Sequence, residues 1–256
     1  MSRYHLTLSV FLVLILASLG LDGTITVPMW WYLVLVVLFV IRVAIGASVL
    51  SLSFFVDVKS AGKSEDHIAL TFDDGPLPGK TEQVLRILKE LDVPAAFFCI
   101  GNRVDEHPDL ARQIDAEGHI IGNHSYWHGA FFDLKSAPMV TRELYDTDVA
   151  VYRAIGKKPR LFRPPYGVTN PMIARAVKRL NYTVIGWSIR SFDTMIADPD
   201  KLFKRVTDNI RGGDIVLLHD HGTVTPEVLP RIIEEVRKRG LKFVRLDELV
   251  KEKPYV

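Results

Sequence analysis

His67-Ile68-Ala69-Leu70-Thr71-Phe72-Asp73-Asp74-Gly75-Pro76, residues 67–76, runs from an apolar, β-rich segment straight into two adjacent acids and a Gly-Pro pair that ends regular structure. Residues 67–72 read as a strand, residues 81–91 carry leucine and isoleucine at helical spacing, and residues 95–100 are again strand-like. The rhythm then repeats. Pro108 opens a helix that runs to Glu117 and stops at Gly118, and residues 119–122 form a short strand leading into a histidine-rich loop. Further helices are predicted at 139–155, 171–180, 198–210 and 226–239, with strands at 161–163, 183–187 and 214–219. A strand near Phe243 and a short helix from Asp247 complete the series. Such alternation predicts parallel strands joined by crossover helices, in an open sheet or a closed barrel. Each chemically suggestive cluster falls just after a predicted strand, where a barrel carries its active site. The expected class is therefore α/β, a (β/α) barrel.

Upstream of this region the composition changes. The chain is 48% hydrophobic, and most of the excess lies before Ser60. Residues 5–21 are long enough to approach the span of a bilayer core, and residues 29–55 begin with Trp30, Trp31 and Tyr32, aromatics suited to the headgroup level. Asp22, Gly23, Thr24 and Pro28 suit a short turn between antiparallel helices. A cleaved signal peptide is the rival reading. The first residues carry only Arg3, and a second apolar stretch follows at once, so retention is expected. The expected organisation is a membrane anchor of two transmembrane helices at 1–56, a linker at 57–65 and a catalytic domain at 66–256. Arg42 within the second span must snorkel, pair or face protein, or else mark a contact with a lipid substrate. The 22–28 connection has no Lys or Arg, whereas Arg3 precedes the first span and Lys59 and Lys63 follow the second. The positive-inside rule then places both termini and the catalytic domain in the cytoplasm of a cell-membrane protein.

A net charge of +2 with dispersed basic residues gives no nucleic-acid surface, so no nucleic-acid partner is expected. Cys99 is the single cysteine, which excludes an internal disulfide and a cysteine-based zinc cluster. In its apolar run it reads as a buried, inert thiol.

Four clusters carry chemistry. At the end of the first strand one of Asp73 and Asp74 can bind a metal while the other faces an activated water; alone, the pair also suits a solvated turn with Asp74 capping a helix. His124 and His128, four apart, can lie on one side of a helical turn or tight loop and grip a cation. With Asp74 they form a His-His-Asp set with vacant positions, as hydrolytic zinc and several other divalent metals use. Arg163-Pro164-Pro165-Tyr166-Gly167 is a rigid turn in which Arg163 can hold a carboxylate. His219 ends the apolar run Ile215-Val216-Leu217-Leu218, placed either to protonate a leaving amine or to sit as a buried structural histidine.

In this order, across about residues 66–250, these clusters resemble the motifs of the polysaccharide deacetylase family, the NodB-homology or carbohydrate esterase family four enzymes. The resemblance implies a distorted (β/α) barrel and one divalent metal, zinc first with cobalt or nickel possible, on Asp74, His124 and His128. It further implies Asp73 as base, His219 as acid, Arg163 as the residue that orients Asp73, and the Tyr166 amide as an oxyanion donor. Leu217, Pro165 and Trp187 match the substrate pocket, and Asp193 matches an acid that holds the arginine. One departure stands out, because Thr194 follows Asp193 where the family commonly has tryptophan. Either the smaller, wetter wall accepts another acyl group, or a bulky neighbour such as Phe192, Trp127 or Trp187 covers the site. The implied reaction removes an N-acyl group, chiefly acetyl, from an amino sugar in a glycan such as peptidoglycan or a chitin-like oligomer. The alternatives are a deacylase or deformylase of a lipid-linked sugar, and a catalytically inactive carbohydrate-binding module.

Overall fold

The computed structural model describes residues 2–21 and 25–256. Its strands are β1 (Val58–Lys59), β2 (His67–Asp73), β3 (Ala95–Cys99), β4 (Ile120–Asn123), β5 (Leu161–Phe162), β6 (Thr183–Ile185), β7 (Ile189–Arg190), β8 (Ile215–His219) and β9 (Lys242–Phe243). The helices are α1 (Arg3–Leu21), α2 (Met29–Ser48), α3 (Thr81–Glu90), α4 (Gly101–Glu106), α5 (Pro108–Ala116), α6 (Ala137–Ile155), α7 (Pro171–Leu180), α8 (Pro199–Thr207), α9 (Thr225–Lys238) and α10 (Leu246–Val250). Every strand pair is parallel, in the order β1-β6-β5-β4-β3-β2-β8-β7, with β9 against the start of β2.

The strands read as apolar runs because both faces are buried. Along β2, Ile68, Leu70 and Phe72 point outward into a core shared with α3, α5, α8 and α9, while Ala69 points into the barrel with Ala96, Phe98, Ile120 and Ile215. The period of two sends Thr71 and Asp73 to the same interior side as Ala69, above that apolar floor. Leu246 and Leu249 of α10 close the floor from below. Cys99 is fully buried in the outer core, and burial pushes its thiol well up, as expected of an inert side chain.

The curl is closed by irregular backbone, which is the distortion in the barrel. Ala61 bridges Asp214, the Gly62 amide donates to the Gly213 carbonyl at 2.8 Å, and between β6 and β7 the chain steps across the gap. In that step the Gly186 amide reaches the Lys59 carbonyl (3.0 Å) and the Ser188 amide reaches the Ile215 carbonyl (3.1 Å). The stretch 57–65, expected as a linker, therefore contains a strand of the barrel: β1 pairs with β6, and Val58 packs in a core with Phe162 and Val184. Two residues are too few for a periodic signal, and the same holds for β7.

α1 and α2 are each long and apolar enough to cross a membrane. They pair antiparallel through Phe11 stacked on Phe39 at 4.5 Å and the Trp31 indole donating to Ser18 Oγ at 2.9 Å. The turn expected at 22–28 includes residues 22–24, which lie outside the described residues. Arg42 faces protein, with its guanidinium 4.9 Å from the centre of the Phe54 ring. The helix stops at Ser48 rather than continuing to residue 55, and the next segment folds back so that Leu50 enters the domain core.

If β1 belongs to the barrel, a fragment starting at residue 57 should be more stable than one starting at residue 66. Losing a buried valine and two ladder hydrogen bonds costs about 3 kcal/mol, or about 6–12 °C in Tm for a domain of this size. Calorimetry of the two fragments checks this; equal melting temperatures would make 57–65 a linker after all.

Candidate active site

The polar cluster sits at the carboxyl ends of β2, β4, β5 and β8. Asp73 is the last residue of β2 and keeps its inward alternation. Asp74 has left with a φ of 75°, a left-handed value that aspartate tolerates better than most residues, and this swings its carboxylate back over the barrel mouth. Gly75 then passes so close to Asp220 that a Cβ would lie 2.1 Å from Asp220 Oδ2. A glycine is required there.

His124 follows β4, with its Nδ1–H donating to the Arg163 carbonyl at 2.8 Å, so Nε2 is left as the free lone pair. His128 lies in a tight loop, φ 49°, not on a helix. The two Nε2 atoms stand 3.5 and 3.4 Å from Asp74 Oδ1. These three atoms lie within 4.8 Å of one another, and Asp74 Oδ1 is buried with no hydrogen-bond partner among the described residues. Ligand atoms around a tetrahedral ion with bonds of about 2.1 Å are about 3.4 Å apart, so the residues present fit a divalent cation.

The electrostatics agree with that reading. Burial alone would raise the pKa of Asp74, but the nearby imidazoles, His124 first and then His128, hold it well below the usual carboxylate range. Burial opposes charge on His124, yet Asp73 and then Asp74 raise it above an ordinary imidazole. His128 is brought down to about 4 by burial and by His124, and so offers a neutral ring.

Arg163 is wholly buried. Its Nη1 donates to Asp73 Oδ1 (2.7 Å) and Thr71 Oγ1 (2.8 Å), its Nη2 donates to the Gly186 carbonyl (2.8 Å), and the guanidinium lies 4.2 Å from the Phe98 ring centre. Such full satisfaction is what a buried cation needs. Asp193, expected to hold Arg163, does not. It accepts from His219 Nδ1 and from the His219 amide, each at 2.7 Å, and from Thr225 Oγ1 and Ser191 Oγ. The cause is topological: Asp193 follows β7, which pairs with β8, so its neighbour at the strand exit is His219. Burial opposes the charge of His219, but the bond to Asp193 raises its pKa overall. Asp73 and His219 are register partners on adjacent strands.

The mouth is a cleft of about 270 Å³ between these groups and a wall of Trp187, Phe192 and Leu217. Trp187 rests on Gly167, where a Cβ would meet the ring at 2.4 Å. Two expectations shift here, and a third, the small side chain of Thr194 at the cleft, holds. Pro164, rather than Pro165, lines the cleft, because the turn from Pro165 to Gly167 folds Pro165 inward. Trp127 lines a separate groove with Tyr126 and Arg142, since the loop turns it away from His124 and His128. Thr194 is exposed at the cleft mouth, beside Met195.

Sequence reasoning missed His221, whose Nδ1 is 3.8 Å from Asp74 Oδ2, and Asp220, buried beneath Gly75, bonded to Thr81 and pushed up to about 7 by burial. The signal was present as His219-Asp220-His221, but a strand exit gives no fixed direction to the second and third residues. Arg103, which donates to the Asp74 carbonyl from α4, carried no such signal.

Residues 60–185 match the family model described as polysaccharide deacetylase. The chain is 37% identical over 195 residues to a peptidoglycan-N-acetylglucosamine deacetylase of Bacillus cereus, covering 74% of this chain and 91% of that protein. It is 35% identical over 193 residues to the peptidoglycan-N-acetylmuramic acid deacetylase PdaA of Bacillus subtilis, covering 74% and 73%. The crystal structure of the Bc1960 peptidoglycan N-acetylglucosamine deacetylase superposes with a TM-score of 0.71 at 29% identity, covering 76% of this chain and 93% of that one.

If Asp74, His124 and His128 hold the metal while Asp73 only faces it, zinc titrations should separate them. Outer-shell losses weaken metal binding about 10–100-fold, so His124→Ala and His128→Ala should exceed about 100-fold. Asp73→Asn should bind within a few-fold of the unaltered protein; a loss as large as that of His124→Ala would contradict the division.

Proposed function

The chain belongs to the polysaccharide deacetylase family, and from that premise we propose that it hydrolyses the N-acetyl group of an amino sugar in a glycan. The observation that carries this reading is the convergence, on one cleft, of a cation seat, a carboxylate anchored by Arg163 and an imidazole anchored by Asp193. A divalent ion in the seat, zinc in our reading, supplies polarisation of the acyl carbonyl and a lowered pKa of water.

The chain's own residues do the rest. Asp73 has one oxygen fixed by Arg163, and the other, Oδ2, points toward His124 Nε2 at 3.7 Å, where it takes a proton from the attacking water. The water oxygen adds to the acyl carbon, and the Tyr166 amide, set by a left-handed backbone of φ 60°, supports the developing oxyanion. His219 has Nδ1 committed to Asp193, so Nε2 is the atom that hands a proton to the sugar nitrogen as the C–N bond breaks. Acetate and a free amine result. Leu217 and Trp187 form a wall suited to an acetyl methyl group. An inactive carbohydrate-binding module is disfavoured by this set, since it has no use for a buried arginine ordering one carboxylate.

We further propose that α1 and α2 span the membrane, each within the length a bilayer core requires. With Arg3, Lys59 and Lys63 on the domain side, the positive-inside rule puts the domain in the cytoplasm. A lipid-linked amino sugar is then the second substrate reading, favoured by one contact: the Thr169 amide, just after the catalytic turn, donates to the Ala47 carbonyl of α2 at 3.0 Å. Paired reporters fused after Val256, one active only inside and one only outside, check sidedness. Activity of the outside reporter alone would favour finished wall glycan.

Incubation of the zinc-loaded protein with N-acetylglucosamine oligomers should release acetate and leave free amines by mass spectrometry; unchanged oligomers, peptidoglycan and lipid-linked sugars would refute the reaction. The acid should also show in the pH profile. His219 must be protonated to act, so kcat/KM should fall as pH rises through its raised pKa. Asp193→Asn removes the stabilising charge and should move that descending limb to lower pH by about a unit or more. A limb that stays in place would take His219 out of the acid role.

A further inference from the structure

We propose that the loop from Gly129 to Lys135 is a second membrane contact, in which Phe131 and Leu134 enter the lipid beside α2 and hold the active-site mouth at the bilayer surface. The proposal rests on the reading of α1 and α2 as membrane spans.

Two large apolar side chains in this loop point into solvent, Phe131 at 72% exposure and Leu134 at 76%. Between them Phe132 is fully buried, in the same core as Leu50, the residue that follows α2 into the domain. The loop is thus pinned by its middle to the segment leaving the membrane helix. A second pin comes from the other side. The Asn170 side-chain amide donates to the Asp133 carbonyl, while its oxygen caps α7 by accepting from the amides of Met172 and Ile173. The preceding residue, Thr169, bonds to Ala47 in the last turn of α2. Asp133 is therefore one residue and two hydrogen bonds from the end of a spanning helix.

That end marks the membrane surface on the domain side. The first turn of α1 agrees, because the Tyr4 amide donates to the Phe54 carbonyl at 3.0 Å. An exposed phenylalanine and leucine held at this level continue the apolar surface of the hairpin, and the bilayer is the partner that such continuity fits. The active site lies on the same side. Tyr166 at the cleft mouth is three residues from Thr169, hence within about 11 Å of it at 3.8 Å per residue. His128, a metal-seat residue, is three residues before Phe131. A sugar carried on a lipid then meets the site at the headgroup level without leaving the membrane.

The test uses the full chain in vesicles of phosphatidylethanolamine and phosphatidylglycerol with brominated acyl chains. Cys99 is fully buried, so a thiol-reactive fluorophore reports on introduced cysteines. Phe131→Cys and Leu134→Cys should lose most of their emission relative to unbrominated vesicles, as should Val37→Cys in α2. Lys238→Cys, at the exposed C-terminal end of α9, should not. Quenching at residue 37 without quenching at 131 and 134 would overturn the loop contact and leave the spanning reading intact. Absence of quenching at residue 37 would defeat the spanning reading, and this proposal with it. Equal quenching at residue 238 would show adsorption of the whole domain and overturn the loop contact.

Discussion

Asp73 and Asp74 are consecutive acids at the exit of a strand that is buried on both faces, and each must find its own positive partner there. A carboxylate removed from water without compensation costs several kcal/mol, so two side by side impose strict demands on what surrounds them. The protein meets them separately. Asp73 takes Arg163, a cation with no exposure at all, itself held by Thr71 and the Gly186 carbonyl. Asp74 takes the two imidazoles, at distances too long for good hydrogen bonds and right for a shared cation. Breaking either arrangement by removing one partner leaves a stranded charge, typically at about 3–5 kcal/mol.

From this separation the chemistry follows. One acid belongs to the candidate cation seat and the other keeps an oxygen free beside it, so in the proposed reaction two adjacent residues would serve the nucleophile and its deprotonation. The proposed acid comes from the next strand, where the β2–β8 register sets His219 opposite Asp73. Asp193 then does for His219 what Arg163 does for Asp73, fixing one atom and leaving the other free. The apolar helix pair α1–α2 enters through the same architecture, since the turn bearing Tyr166 continues directly into the residue bonded to α2.

Much of this was legible in the sequence because chemistry-bearing residues cluster where apolar strand signals stop. Asp73-Asp74-Gly75-Pro76, His124 with His128, and His219 each ended a recognisable strand, and the helices were readable from leucine and isoleucine spacing. What failed to read was reach across the barrel. Asp193 was assigned to Arg163, yet only the pairing of β7 with β8 shows that its neighbour is His219. Strands of two residues, β1 and β7, are below the length at which alternation is visible, and Val58 therefore passed for linker. Trp127 and Pro165 were misdirected for a local reason: loop residues with left-handed neighbours, such as Ser125, His128 and Tyr166, do not follow any period.

The proposed mechanism depends first on where the cation sits. Anomalous diffraction at the zinc edge, from crystals of the protein grown with zinc, locates the ion without reference to activity. One site is expected, with His124 Nε2, His128 Nε2 and an Asp74 oxygen at about 2.0–2.2 Å and Asp73 outside bonding range. Zinc held instead by His219 and His221, or coordinated by Asp73 in place of Asp74, would contradict it.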